Sequence, residues 1–191
     1  MILNTPDEQD ATGPVKDIYD ADLNSLGYVP SHTKAMAINP EAYQAFQALI
    51  RATVANMNLR RYELVTLAAA QAIGSTHCRL AHGVKSLKVF SADQLAAIGR
   101  DYRSAGLEPA EVAMMEYAEK LSTDAAAMTD EDTLALRKHG FSDREIMDIT
   151  LAATARNFLS RTLLALNVEL DVPPSLDENL QEALLAPLQE R

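Results

Sequence analysis

Residues 63–82 read Glu63-Leu64-Val65-Thr66-Leu67-Ala68-Ala69-Ala70-Gln71-Ala72-Ile73-Gly74-Ser75-Thr76-His77-Cys78-Arg79-Leu80-Ala81-His82. The run from about Arg60 to Ile73 has the helical period, and Gly74 ends it, since glycine tolerates the left-handed backbone at a helix C terminus. Ser75 is then the N-cap of a following helix that reaches about Val89. Two helices thus meet at a Gly74-Ser75 turn, and the one cysteine of the chain, Cys78, lies in the first turn of the second.

Outward from this hairpin every segment with a clear period has the helical one, so the chain is expected to be all-α. Pro14 starts a helix that Gly27 ends, and Asn39-Pro40-Glu41 caps one running to about Asn58 with Tyr43, Phe46, Leu49, Ile50 and Val54 as its apolar stripe. Downstream, a short helix follows Ser91, one spans about Glu108 to Ser122, and Thr129 with Asp132 opens one that Gly140 ends. Ser142-Asp143-Arg144-Glu145 is a capping box for a helix continuing to about Val168. That helix is apolar on most of its circumference, which places it at the centre of the bundle or at a subunit contact. After Pro173-Pro174, Ser175 with Glu178 caps a terminal helix carrying Leu176, Leu180, Leu184 and Leu188, expected to pack on its own domain or on a neighbour.

The chain has 191 residues, 48% of them hydrophobic, which suits one domain over residues 1–191 with a core at about 14–171 and the terminal helix at about 175–188. No run approaches the roughly 20 apolar residues of a membrane span, and the first residues lack a basic, apolar leader. A single cysteine supports no disulfide framework, so the expected location is the reducing cytoplasm. Residues 1–22 and 169–191 together hold 12 acidic and 2 basic side chains, and the remainder is balanced. With no basic face, neither nucleic acid nor a membrane surface is an expected partner.

With Ser75 as N-cap, Cys78 is the third helical residue, beside unpaired backbone N–H groups and the positive end of the helix dipole, which favour thiolate over thiol. His82, four residues on, shares its face, within reach of a hydrogen bond direct or through one water. His77 points to an adjacent face. Glu63 on the preceding helix can reach His82, giving a nucleophile, a base and an orienting group in series. Each residue also has a plainer reading: a packed thiol, a half-exposed histidine, a glutamate favoured by the dipole. A zinc site from Cys78, His82 and Glu63 lacks an evident fourth ligand, and no cofactor is implied. Asn157 and Arg161, one turn apart in the apolar helix, read as an ion pair or cap inside the bundle, with an anchor near the pocket as the functional alternative.

The span Glu63 to His82 resembles the signature of the alkylhydroperoxidase D-like branch of the carboxymuconolactone decarboxylase family, in which a glutamate precedes by twelve residues a cysteine-x-x-cysteine-x-x-x-histidine motif. In that register Cys78 is the second cysteine, His82 the final histidine and His77 the histidine between the cysteines. Ser75 replaces the first cysteine. Gly27-Tyr28-Val29-Pro30, Gly140 to Ile146, Asn157 with Arg161, and Asn167 to Asp171 are similar to flanking segments of the peroxidase-related members, so the resemblance covers about residues 14–171.

The resemblance implies an all-helical homo-oligomer, trimeric or hexameric, with thiol peroxidase or disulfide reductase activity. The two-cysteine cycle cannot run with Ser75 in place. The expected function is therefore a one-cysteine peroxidase: Cys78 as nucleophile, His82 as base, Glu63 orienting it, His77 and Ser75 tuning the thiolate. A hydroperoxide or other small molecule is the substrate, and a small thiol, a thioredoxin-like protein or another subunit's Cys78 resolves the sulfenic acid. The alternatives are decarboxylase-type acid–base chemistry by His82 and Glu63, with Cys78 a bystander, and a non-catalytic oligomeric binding protein, which a buried and unreactive Cys78 would favour.

Overall fold

The computed structural model describes residues 1–189, which form ten α-helices, one 3-10 turn and no strand. In order these are α1 (Gly13–Leu26), α2 (Ser31–Met36), α3 (Pro40–Val54), α4 (Leu59–Ile73), α5 (Thr76–Ser86), α6 (Ala92–Asp101), α7 (Pro109–Thr123), the 3-10 turn (Ala125–Ala127), α8 (Asp130–Lys138), α9 (Asp143–Ala165) and α10 (Glu178–Gln189). The all-α expectation holds, with local corrections. Helix α3 stops at Val54 rather than near Asn58, because the Asn58 side chain accepts from Arg61 N at 2.8 Å and so caps α4. Helix α5 ends at Ser86 and α9 at Ala165, three residues short of expectation in each case. Helix α2 was not foreseen.

Helix α4 is buried along its length from Tyr62 to Ala70 and is wrapped by α5, α7 and α9. Its end is a Schellman turn: Gly74, at φ +82°, donates to Gln71 O at 3.0 Å, and Ser75 N donates to Ala70 O at 2.9 Å. Ser75 Oγ then accepts from Cys78 N, opening α5 in the reverse direction. This turn lays the Cys78–His82 face of α5 against the Glu63 face of α4.

Two hydrophobic cores share α9. The larger joins α4 to α8, α10 and the first half of α9 through residues such as Leu64, Leu95, Met114 and Ile149. The smaller packs α1, α2 and α3 against Ala155, Leu159 and Leu163 of α9. The inward positions of α9 recur at three- and four-residue steps, so one face is central, as expected, while Met147, Phe158 and Leu164 remain exposed on the other. Arg156 and Ser160 fall on the inward face where the two cores meet.

Helix α10 packs on α5 and α6 of its own chain, burying Leu176, Leu180, Ala183 and Leu184. Full burial of each leucine is worth about 1.5–3 kcal/mol. Asp177, not Ser175, caps it, accepting from Leu180 N at 2.8 Å. Gly99 permits the close approach, since a Cβ there would lie 3.0 Å from Ala183 O. The buried Arg79 locks the joint by donating to Leu184 O at 2.8 Å, Gly99 O at 2.6 Å and Leu67 O at 3.4 Å. Three carbonyls thus satisfy a guanidinium that has no carboxylate partner among the described residues.

Candidate functional site

The five residues singled out in the sequence lie along the α4–α5 turn, but their side chains divide between two neighbours. Glu63 on α4 and His82 on α5, both buried, meet with Oε2 2.6 Å from Nδ1. The Tyr62 ring stands edge-on to the His82 ring at 6.0 Å. The Cys78 sulfur turns instead to α9: Ser160 Oγ donates to it at 3.1 Å and Arg156 Nη1 at 3.5 Å. No hydrogen bond joins Cys78 to His82 among the described residues, in contrast to the direct contact their spacing allows. The i, i+4 relation brings them to one face, and then α4 claims the imidazole and α9 the thiol.

His77 is committed elsewhere. Its Nε2 lies 2.8 Å from the Glu169 carbonyl, to which it donates, and its Nδ1 is buried with no hydrogen-bond partner among the described residues. Thus His77 ties α5 to the segment after α9 rather than facing the sulfur. Ser75 acts at the backbone, as the cap of α5, and also helps to hold the thiol down. A groove of about 470 Å³ opens beside this turn, lined by Thr76, His77, Leu164, Val168 and Leu170, and reaches neither Cys78 nor His82.

Burial alone would push the Cys78 thiol up, but the Arg156 charge and the Ser160 and Ser75 hydroxyls outweigh it, and the net direction is down. Arg156 moves the opposite way: the sulfur and Tyr62 hold its charge on despite burial. Each of these two touching groups thus favours the charged form of the other. Burial pushes the Glu63 carboxyl up to about 7, against the pull of Lys85 and Arg156. Burial, with Arg156, Lys85 and His32 adding to it, holds His82 well below the usual histidine range. Glu63 and His82 therefore act as a pair that takes up one proton near neutrality. His32 of α2, within electrostatic reach of Arg156 and His82, is pushed down by burial to about 4 and is also neutral.

Arg156, Ser160 and His32 were not foreseen. Arg156 and Ser160 form an i, i+4 polar pair in an apolar helix, a visible signal, yet the pair singled out was Asn157 and Arg161, one position further on. Those two cap α7: Arg161 Nη2 donates to Ser122 O at 2.8 Å, and Asn157 Nδ2 to Ser122 Oγ at 2.8 Å. Among the described residues no group of three or more His, Cys, Asp or Glu side chains is placed to hold a metal ion. No helix among them is long and apolar enough to cross a membrane.

Compared by sequence, the chain matches no family model and no curated protein. Compared by structure, it is similar to the alkylhydroperoxidase AhpD core of an uncharacterized peroxidase-related protein from Ralstonia eutropha JMP134, with TM-score 0.78, 21% identity and 95% of each chain covered. An uncharacterized peroxidase-related protein from Silicibacter sp. TM1040 superposes with TM-score 0.77 at 26% identity, covering 90% of this chain and 91% of that one. The debrominase Bmp8 shares the fold, with TM-score 0.76 at 17% identity over 98% and 97% of the two chains.

Proposed function

We propose that this chain, which belongs to the alkylhydroperoxidase D-like family, is a thiol-dependent peroxidase working through one cysteine. The observation that carries the reading is the Cys78 sulfur held between Ser160 Oγ and the buried Arg156 guanidinium, beside a Glu63–His82 pair that stores a proton. A thiol that only packs needs no cation, so the burial of Cys78 does not by itself favour an unreactive residue. Burial does mean that substrate meets the sulfur only when covering residues move.

The Cys78 thiolate attacks the terminal oxygen of a hydroperoxide. The S–O bond forms, the O–O bond breaks, and the electron pair leaves on the alkoxide, which takes a proton from the Glu63–His82 pair to become the alcohol. Sulfur is now a sulfenic acid. With serine at position 75 and no second cysteine in the chain, a small thiol from solution condenses with it, releasing water. A second thiol then displaces the mixed disulfide, returning the Cys78 thiolate and an oxidised disulfide. In this scheme Glu63 and His82 deliver the proton to the leaving group, while Arg156 and Ser160 keep the nucleophile ionised.

A second reading rests on the debrominase neighbour, whose fold was also solved as a cysteine-to-alanine variant bound to 2,3,4-tribromopyrrole. The same thiolate attacking bromine would form a sulfenyl bromide and leave the electron pair on a ring carbon, which takes the proton. A small thiol would then give a mixed disulfide and hydrogen bromide. Turnover of cumene hydroperoxide and of a brominated pyrrole, each with dithiothreitol as reductant, separates the two. The peroxidase reading expects hydroperoxide consumption that Cys78→Ala abolishes and His82→Ala slows. Activity that survives Cys78→Ala but not His82→Ala would point instead to acid–base chemistry of the decarboxylase type.

A further inference from the structure

Lys85 is a cation that the mechanism above leaves unused. It stands seven residues after Cys78 and three after His82, so the three share one face of α5, with Lys85 about 10.5 Å along the axis from Cys78. Helical side chains lean toward the N terminus, and the long lysine stem therefore runs back over His82 toward the sulfur. The charges of Arg156, Glu63, Cys78 and Asp22 all reach its ammonium, which puts it at the seam of α1, α4, α5 and α9. Two of those neighbours are acids, yet Lys85 makes no hydrogen bond and no ion pair among the described residues. Asp22 is held by Thr33 Oγ1 at 2.5 Å, and Glu63 is turned to His82. Solvent reaches Lys85, while the protein around it pushes its ammonium down, as in a recess and not on an open face. His32, half-buried and within reach of both Lys85 and Arg156, forms the α2 side of that recess.

We propose that Lys85 anchors the carboxylate of the small thiol that resolves oxidised Cys78, so that the chain is reduced by thiols bearing an anion in preference to neutral ones. The inference rests on the peroxidase reading above and names its reductant class. Charge decides which of the two reactants the anchor serves. In the reduced site the Cys78 thiolate answers Arg156. Oxidation turns the sulfur into a neutral sulfenic acid, and the seam loses one negative charge while Arg156 and Lys85 keep their positive ones. An anion is thus received better after oxidation than before it, at the step where a thiol is required. With one cysteine in the chain and serine at position 75, that thiol comes from outside at every turnover.

The incoming thiolate attacks the Cys78 sulfur: the S–S bond forms, the S–O bond breaks, and hydroxide leaves as water with a proton from the Glu63–His82 pair. A second thiolate attacks the outer sulfur of the mixed disulfide, which frees the small disulfide and returns the Cys78 thiolate. The sulfenic sulfur is reduced by two electrons, and two thiols are oxidised to one disulfide. A cation beside the entering thiol also favours its thiolate form, the form that attacks.

The test loads Cys78 as its mixed disulfide with 2-thiopyridine, an uncharged counterpart of the oxidised sulfur, and follows release of thiopyridone by 3-mercaptopropionate and by 2-mercaptoethanol at low ionic strength. Dividing each rate by that of the same thiol with free 2,2′-dithiodipyridine removes differences in intrinsic nucleophilicity and ionisation. The expected ratio, carboxylate thiol over neutral thiol, is about fivefold or more, the upper end for an exposed ion pair, and it shrinks at high salt. Lys85→Gln should bring the ratio close to one, and Lys85→Arg should keep most of it. A ratio near one in the wild type, or one that Lys85→Gln leaves unchanged, overturns the proposal; if cumene hydroperoxide still oxidises Cys78 faster than a free thiol, the peroxidase reading stands without it. Oxidation no faster than that of a free thiol sinks the peroxidase reading, and the resolving role with it, whatever the ratio. A Cys78 that dithiodipyridine does not reach in the native protein also overturns the proposal, because no recess then leads from Lys85 to the sulfur.

Discussion

Replacing Glu63 with glutamine makes the folded protein acid-sensitive, in a window set by its partner. In the wild type the folded Glu63–His82 pair takes up one proton as pH falls through about 7, because burial raises the carboxyl. The unfolded chain takes up one proton on His82 near the ordinary value of 6.5. Below that point both states hold one proton, and the pair contributes almost no slope to stability until the unfolded glutamate titrates near 4.5. Glutamine cannot carry that proton. His82 stays neutral in the folded variant, because burial and the Arg156 charge hold it well below 6.5. The unfolded variant then binds one proton more than the folded one, and stability falls as pH is lowered. Each pH unit costs about 1.4 kcal/mol, so the variant loses about 2 kcal/mol relative to wild type between pH 6.5 and pH 5. At pH 8 no such penalty applies. Urea unfolding of both proteins at pH 5, 6.5 and 8 reads the difference directly. Parallel stability curves between pH 5 and 6.5 would refute the shared proton.

Three further substitutions probe the packing around the site. Cys78→Ser removes the charge that Arg156 faces, so it should abolish peroxide consumption and also cost about 3 kcal/mol in urea unfolding; a melt identical to wild type would show that the thiolate is not the counter-charge. Asp171 caps α2, accepting from Ser31 N at 2.6 Å and Ser31 Oγ at 3.0 Å. Asp171→Ala should cost about 1 kcal/mol and loosen the helix that carries His32. Backbone hydrogen exchange across residues 31–36 should then quicken several-fold, and an unchanged rate would show that Asp171 does not hold α2. Gly99→Ala sets a Cβ against the backbone of Ala183 at 3.0 Å, so α10 must shift, at a cost of about 1–3 kcal/mol. Limited proteolysis should release the C terminus of that variant first, and equal resistance would show that the joint tolerates the shift.

What could be read in the sequence was carried by local chemistry. The Gly74-Ser75 turn, the capping boxes at Thr129 and Ser142, and the end of α8 near Gly140 are set by residues within a few positions of one another. Helix α2 escaped because its six residues are too few for a period and its N terminus is held by Asp171, 140 positions away. Asp177 displaced Ser175 as the cap of α10 because both lie near the helix start and only packing against α6 chooses between them. The site divides in the same way. The register of Glu63, Cys78 and His82 across one turn was visible from helical spacing. The thiol's partners were not, since α9 carries polar and apolar residues on all sides and does not announce which face turns inward; one residue of rotation separates Arg156 and Ser160 from Asn157 and Arg161. The burial that shifts Glu63 and His82 is likewise a product of two cores closing on one seam.

The most direct test of the peroxidase account is the second-order rate constant for oxidation of Cys78 by an alkyl hydroperoxide at pH 7, read as sulfenic acid trapped by dimedone and weighed by mass spectrometry. The account predicts a value at least about 100-fold above that of a free thiol, beyond the roughly 30-fold that ionisation alone supplies. A value within that 30-fold range would contradict it, because the Arg156, Glu63 and His82 machinery would then be adding nothing to the chemistry of an ordinary thiolate.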